Sequence, residues 1–293
     1  MTVIGLVGAG AMGSALGASW RAGGAEIVTC VAGRSARTRE AVARAGLTTV
    51  ESPKDVMQAD IVVSVVPPGE AIRVARDIAA WSVQSGARPL VVDLNAVAPT
   101  TVDEIAASLA GARSTLVDGS ISGPPPGPDR HATRVYLSGE RAADVAAIGS
   151  PWTETIVLDG PLGRASALKM CTASMYKGTN ALVMHAMLTA QAHGVLDDFL
   201  ADVARVWPDH VPTWHLGVAL AAAKSARFVD EMHEIARTQS DVGLPGELFE
   251  GIAAAFAQAA TTVLGQMAPE QVDRTASVHE VLAGLDPMAG EHA

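Results

Sequence analysis

The segment LKMCTASMYKG, residues 168–178, sets two lysines into a stretch that otherwise has the composition of a buried helix face. An ammonium drawn toward a core loses hydration worth several kcal/mol unless something there uses the charge. At about 100° per residue, Tyr176 and Asn180 each fall within about 20° of Lys169, with Thr172 about 60° to one side. A polar stripe on an apolar helix at a domain boundary is what a substrate cleft would require. Lysine in an apolar setting releases its proton more readily than lysine in water, which suits proton transfer near neutral pH. The competing account of Lys169 is a lysine whose stem lies on apolar surface while its head reaches water. Lys177 faces about 80° away from Lys169, where it can serve a phosphate, a carboxylate or solvent.

A second chemical signal lies at the start of the chain. LVGAGAMG places Gly8, Gly10 and Gly13 in the G-x-G-x-x-G spacing, directly after an apolar strand and at the opening of a helix. Gly8 permits a tight turn, Gly10 lets backbone N–H groups approach a pyrophosphate, and Gly13 lets helix and strand pack closely. The anion then rests on the helix N-terminus, at Ala11 and Met12, where unpaired N–H groups and the helix dipole favour negative charge. About twenty residues further on, an NAD site would show Asp or Glu for the ribose 2′-OH. This chain has VAGRSART there. Arg34 can fork onto a phosphate, Ser35 adds a hydroxyl and Arg37 adds positive charge, so the expected cofactor is NADP (NADPH).

Two more strand ends should face the same crevice. VVPPGEA brings Val66 and Pro67 to one, a rigid lining suited to the nicotinamide ribose. VVDLNAVAP brings Asn95 to the next, either as a turn cap or as a ligand contact. Other candidates are weaker. His185 and His193 share the long helix, but no carboxylate is spaced to complete a metal site with them. Asp230, Glu231, His233 and Glu234 read as a solvated helix face. Trp207, Trp214 and His215 suit either an apolar pocket or core. No metal and no covalent nucleophile is expected.

The elements that must position these residues are legible in the hydrophobic pattern. Strand candidates cover 2–7, 26–32, 60–66, 89–94, 114–119, 133–139 and 153–159, with helical stretches at 11–22, 36–45, 70–80, 100–110 and 140–148. Apolar strands spaced by helices indicate an α/β fold, a Rossmann doubly wound sheet covered on both faces. After residue 160 the alternation stops. Residues 163–194 read as one long interdomain helix, and alanine-rich helices follow at 195–206, 211–225, 227–240 and 245–264. The expected division is an NADP-binding domain at 1–162, an all-helical C-terminal domain at 163–286 and a frayed tail at 287–293.

Composition narrows the function classes. At 293 residues with 49% apolar side chains, the chain can build two cores. A net charge of -10 argues against nucleic-acid binding. Twenty uncharged residues open the chain, but five glycines and the dinucleotide reading outweigh a membrane span or a secretory signal. Cys30 and Cys171 have no disulfide or metal spacing, which points to the cytoplasm.

Three segments together, GLVGAGAMG, DGSISGPPP (118–126) and GPLGRASALKM (160–170), resemble the β-hydroxyacid dehydrogenase superfamily. That superfamily includes 6-phosphogluconate dehydrogenase-like enzymes and, more distantly, imine reductases. LKMCTASMYKG and FVDEMHEIART resemble a little-characterised branch with its own helical C-terminal domain. The resemblance implies that Asp118, Ser122 and Gly123 match the D-x-x-x-S-G motif, whose serine and backbone N–H groups hold a substrate carboxylate. It implies that Lys169 is the catalytic lysine, giving its proton to a carbonyl oxygen as hydride arrives. It also implies a homodimer in which C-terminal helices complete the partner's cleft. Two departures stand out. Thr172 and Ala173 replace the asparagines usual in the hydroxyacid enzymes, and the Gly163-to-Lys169 spacing is closer to that of imine reductases. Imine reductases commonly carry Asp or Tyr at the lysine position, so Lys169 favours carbonyl chemistry. The expected function is therefore an NADPH-dependent reductase of a small, anionic carbonyl compound. An imine reductase and a non-catalytic NADP sensor are the alternatives, and Tyr176, Asn180 and Lys177 are the further substrate-binding candidates.

Overall fold

The computed structural model describes residues 1–286. The chain forms two compact units, one from Met1 to Met170 and the second from Cys171 onward. The division falls inside the long helix, about two turns beyond its start.

The first unit runs β1 (Val3–Val7), α1 (Ala11–Ala22), β2 (Glu26–Cys30), α2 (Ala36–Ala45), β3 (Thr48–Val50), α3 (Pro53–Val56), β4 (Ile61–Ser64), α4 (Ala71–Ser85) and β5 (Leu90–Asp93). It continues through α5 (Pro99–Ala110), β6 (Leu116–Ser122), β7 (Thr133–Ser138), α6 (Ala142–Ala146), β8 (Thr153–Val157) and the start of α7 (Arg164–Ala192). The eight strands form one sheet in the order β3-β2-β1-β4-β5-β6-β7-β8. Pairing is parallel throughout except between β6 and β7, which are antiparallel.

Why the central strands are apolar along their whole length is visible in where alternate residues go. Ile4, Leu6, Ile61, Val63, Leu90 and Val92 join one buried cluster with Leu16 and Trp20 of α1. Val62 and Val91 join the opposite cluster with Val74 and Ile78 of α4 and Ile105 and Leu109 of α5. A strand with period two must therefore be hydrophobic at every position when both faces are roofed. Each fully buried Leu or Ile contributes about 1.5–3 kcal/mol relative to exposure. β1 has β2 on one side and β4 on the other, so the strand order reverses at its carboxyl end, where open sheets of this kind hold ligands.

Two short elements, β3 and α3, have no counterpart in the sequence reading. β3 is an edge strand of three residues, two of them exposed, too short to show a period.

The second unit is helical: the remainder of α7, then α8 (Leu196–Val203), α9 (Val211–Ala222), α10 (Ser225–Ser240), α11 (Glu247–Ala259), α12 (Val263–Gln266) and α13 (Val278–Ala283). Met184 and Met187 of α7 pack with Val218 and Ala222 of α9, Ala259 of α11 and Leu282 of α13. Phe228 of α10 meets Phe256 of α11 edge-on, with centroids 5.4 Å apart. The single helix expected over 245–264 is two, because Thr262 takes the Gly265 N–H at 3.1 Å and starts α12 afresh. α13 went unassigned in the sequence reading, although its capping box, Ser277 with Glu280, is a legible start signal. The expected tail at 287–293 lies outside the described residues. The uncharged N-terminal stretch divides between β1 and α1, and no helix among the described residues is long and apolar enough to cross a membrane.

The glycine turn between β1 and α1 makes a contrast that stability measurements can check. A Cβ on Gly13 would lie 2.3 Å from the Gly8 carbonyl oxygen, whereas one on Gly10 would meet nothing within 4 Å. Gly13→Ala is expected to cost about 1–3 kcal/mol in urea unfolding, and Gly10→Ala to unfold close to wild type.

Candidate functional site

The carboxyl edge of the sheet in the first unit gathers the glycine turn, the β4 and β5 ends, the end of β6 and the first turns of α7. Gly8 has φ +91°, and a side chain there would lie 2.2 Å from the Val65 carbonyl oxygen, so β1 turns sharply against the β4 loop. Gly13 presses α1 onto that turn. Gly10 is the N-cap of α1 and faces open space, with no side chain capping the helix and no acid in its first turn. The backbone N–H groups at Ala11 and Met12 thus begin a helix whose positive end is bare of side-chain acceptors. This arrangement fits a dinucleotide pyrophosphate.

Beyond β2, Arg34 and Arg37 are exposed. The Arg34 carbonyl accepts from the Arg39 guanidinium. Ser35 caps α2, its oxygen accepting from the Thr38 N–H at 3.3 Å, with the Thr38 hydroxyl 3.1 Å away. Two arginines and a helix N-terminus thus stand at this strand end, and the residues that directly follow β2, 31–39, include no Asp or Glu.

Asn95 lies inside the sheet edge. It is 2% exposed. Its Oδ1 accepts from the Val66 N–H at 2.6 Å, and its Nδ2 donates to Asp93 at 2.7 Å and to Ser64 Oγ at 3.1 Å. These bonds tie the strand ends together and hold the Val66–Pro67 backbone that follows β4. Asp93, which the sequence reading passed over, is wholly buried here. Its carboxyl is pushed from 3.8 up to about 7, chiefly by loss of water; the Asn95 backbone N–H opposes this, and the charge on Asp118 adds to it.

Asp118 faces Ser138 across the antiparallel β6/β7 pair and is fully buried. Oδ2 accepts from Ser138 Oγ at 2.8 Å and from the Ala165 and Ser166 N–H groups at 3.0 and 3.1 Å; Oδ1 accepts from Ser166 Oγ at 2.6 Å. The side chain expected in a substrate-anchoring motif is thus the cap of α7. Farther along β6, Ser120 Oγ donates to the Ala165 carbonyl at 2.9 Å. Lys169 donates to the Ile121 carbonyl at 2.9 Å, which brings its ammonium to the residue preceding Ser122. Gly123 has φ +123°, and a Cβ there would lie 2.7 Å from the Ala132 carbonyl oxygen, so the chain leaves β6 by a turn open only to glycine. Ser138 and Ser166 were not picked out from sequence; their partner lies tens of residues away, and no local pattern signals it.

The remaining candidates lie in the second unit. Lys177 pairs with Glu231, and its ammonium sits 4.2 Å from the centre of the Phe228 ring. The carboxylate it serves is the chain's own. Glu231 is correspondingly buried, at 6% exposure, rather than on the solvated face expected of its helix. One Glu231 oxygen, Oε1, has no hydrogen-bond partner among the described residues. His233 and Glu250 do form an exposed pair at 2.8 Å. Tyr176 is 70% exposed. Asn180 donates to the Tyr176 carbonyl one turn back at 2.9 Å, while its Oδ1 occupies the space that a side chain on Gly217 would need. Trp207 and Trp214 meet in a tilted contact, their rings 5.8 Å apart between centroids and inclined by 51°, with Trp214 packed on the helical core. No group of three His, Cys, Asp or Glu residues among the described residues is arranged to hold a metal ion.

Asp93 gives the site a pH signature. The folded chain holds this proton more tightly than the unfolded chain, so the associated stability is full below pH 3.8 and is lost as pH rises through about 7. Asp93→Asn is expected to flatten that decline. Thermal unfolding of both proteins between pH 5 and pH 8 checks it, and equal slopes would contradict the assignment.

Comparison with known proteins places this geometry. Residues 3–147 match the NAD binding domain of 6-phosphogluconate dehydrogenase, and residues 190–259 match a domain of unknown function (DUF1932). An uncharacterized 28.5 kDa protein of Methanothermus fervidus is 27% identical over 198 residues, covering 67% of this chain and 74% of that protein. A 3-hydroxyisobutyrate dehydrogenase of Mycobacterium tuberculosis, solved with L-serine, superposes with a TM-score of 0.69 at 20% identity, covering 95% of this chain and 98% of the other. An imine reductase variant of Myxococcus stipitatus, solved with NAD+, has a TM-score of 0.55 at 17% identity, covering 89% and 94%. In chain order, then, the chain joins a domain that matches the NAD binding domain of 6-phosphogluconate dehydrogenase to a helical C-terminal part that contains the domain of unknown function.

Proposed function

We propose that this chain is an NADP-dependent oxidoreductase acting on a small carbonyl or hydroxy compound that carries an anionic group. One observation carries the reading: the Lys169 ammonium is held at the Ile121 carbonyl, next to Ser122 and the Gly123 turn. A proton donor and an anion-binding loop thereby share one strand end. The dinucleotide, when bound, supplies or accepts the hydride. Gly8, Gly10 and Gly13 shape its pyrophosphate seat against the first turn of α1. Val66 and Pro67, held by Asn95, line the same edge. Arg34 and Arg37, with Ser35, offer the 2′-phosphate a forked, charge-assisted partner where an NAD site would place a carboxylate.

The chain's own part in the reaction is then to hold the substrate anion at Ser122 and the backbone beside it, and to move a proton at Lys169 Nζ. In the reducing direction that proton goes to the oxygen of the former carbonyl, leaving a hydroxyl; in the oxidising direction Nζ takes it back. The Ile121 carbonyl uses one of the three donors of the ammonium and so restricts where the group can point. Reduction of a C=N group is the second reading, favoured by the Gly163-to-Lys169 spacing.

In the second unit, exposed Met175, Leu182 and Leu248 border an apolar groove of about 480 Å³. A homodimer that covers this surface accords with the proposal. Two free cysteines accord with a reducing, cytoplasmic setting.

NADPH and NADH oxidation against a panel of short 2- and 3-oxo acids, aldehydes and cyclic imines tests the assignment. On the substrate so found, Lys169→Ala is expected to lower kcat about 10²- to 10⁴-fold with dinucleotide affinity unchanged; wild-type turnover would rule the lysine out. Replacing Arg34 by Ala should weaken NADPH binding about 10- to 100-fold and leave NADH binding as it was, the loss expected for one charged hydrogen-bonding partner. Equal weakening of both dinucleotides would contradict the 2′-phosphate role.

A further inference from the structure

We propose that Asp118, acting through Ser166, is a positioning residue that sets Lys169 against the Ser122 loop. The inference rests on the reading of Lys169 as the proton donor. It goes beyond it by assigning a role to a buried carboxylate and two serines that touch no substrate.

The first N–H groups of a helix have no partner within the helix. In α7 the groups at Ala165 and Ser166 are taken by one oxygen of Asp118, on a strand in the sheet core. Ser138 bridges the same cap from β7, donating to Asp118 and accepting from Ala165 N–H at 3.1 Å. Ser166 Oγ closes the other oxygen. Ser120 adds a bond to the Ala165 carbonyl. Three closely spaced residues of β6 (118, 120 and 121) therefore grip residues 165, 166 and 169 of the helix, and the next residue of the strand is Ser122. Helix and strand cannot slide or turn relative to one another without breaking several bonds to a buried charge. Ser166 and Lys169 are three residues apart and so lie on neighbouring positions of one helix face. A cap that holds the first therefore also holds the direction of the second. The distance from proton donor to anion loop is thus set by how β6, with Ser138 of β7, holds the start of α7.

Two readouts separate this from a merely structural role. Acetylation of lysines by acetic anhydride, followed by mass spectrometry, reports how firmly Lys169 is held, with exposed Lys54 in the same molecule as the reference. Ser166→Ala deletes one bond to the carboxylate and is expected to raise the Lys169-to-Lys54 labelling ratio about tenfold, the scale of one hydrogen bond to a charged group. Asp118→Asn should raise it further. If Asp118→Asn does not fold, Ser166→Ala alone decides. A ratio equal to wild type in folded Ser166→Ala overturns the proposal, whatever Lys169 does in catalysis. In turnover, Ser166→Ala should lower kcat about tenfold at unchanged KM for the dinucleotide, and the Ser166→Ala/Lys169→Ala double variant should be no slower than Lys169→Ala. Multiplicative losses would overturn the positioning role. Full activity of Lys169→Ala would instead remove the proton-donor reading and leave the labelling result to stand by itself.

Discussion

A charge buried in the core of the first unit holds its working end together. Placing the Asp118 carboxylate out of water costs several kcal/mol, and the chain offsets this with two serine hydroxyls and two backbone N–H groups at the positive end of a helix. None of the four donors comes from β6 itself. They belong to β7 and α7, so the carboxylate is satisfied only when those elements have docked. The same bonds that stabilise the ion thus fix where the long helix begins and which way its first turns face.

A neighbouring carboxylate is handled differently. Asp93 is paired in register with Asp118 on the adjacent strand, yet among the described residues its donors are those of Asn95. With burial and a nearby like charge against it, it holds a proton up to about pH 7. Two acids of one type, one strand apart, thus have different partners, one at a helix N-terminus and the other at a loop. The Asn95 network that accompanies Asp93 carries the β4 loop, so the edge facing the dinucleotide turn is tied from below by buried polar groups rather than by apolar packing.

The second unit solves a similar problem with a pair. Lys177 and Glu231 are both largely removed from water, and the Phe228 ring face adds a cation–π contact to the ammonium. Truncating one member would strand the other, which is why such pairs cost more to break than they contribute when made. Lys177 and Lys169 share a helix and a residue type but meet different surroundings: one is matched by a carboxylate of its own unit, the other by a backbone carbonyl beside a flexible-φ turn.

The sequence by itself determined the α/β class, the strands and helices of the first unit other than β3 and α3 to within about five residues, the glycine turn and the long helix, because each rests on local rules: period-two or period-3.6 burial, and backbone shapes open only to glycine. It also marked Lys169, as a charge out of keeping with its surroundings. Only the tertiary structure decided what Asp118, Ser138 and Ser166 do, that Asn95 turns inward, and that Lys177 is matched by Glu231. Those outcomes depend on which residues meet across 20 to 54 positions of chain. Hydrogen-bond partners at that separation are chosen by how sheets and helices stack, and no short stretch of residues encodes the choice.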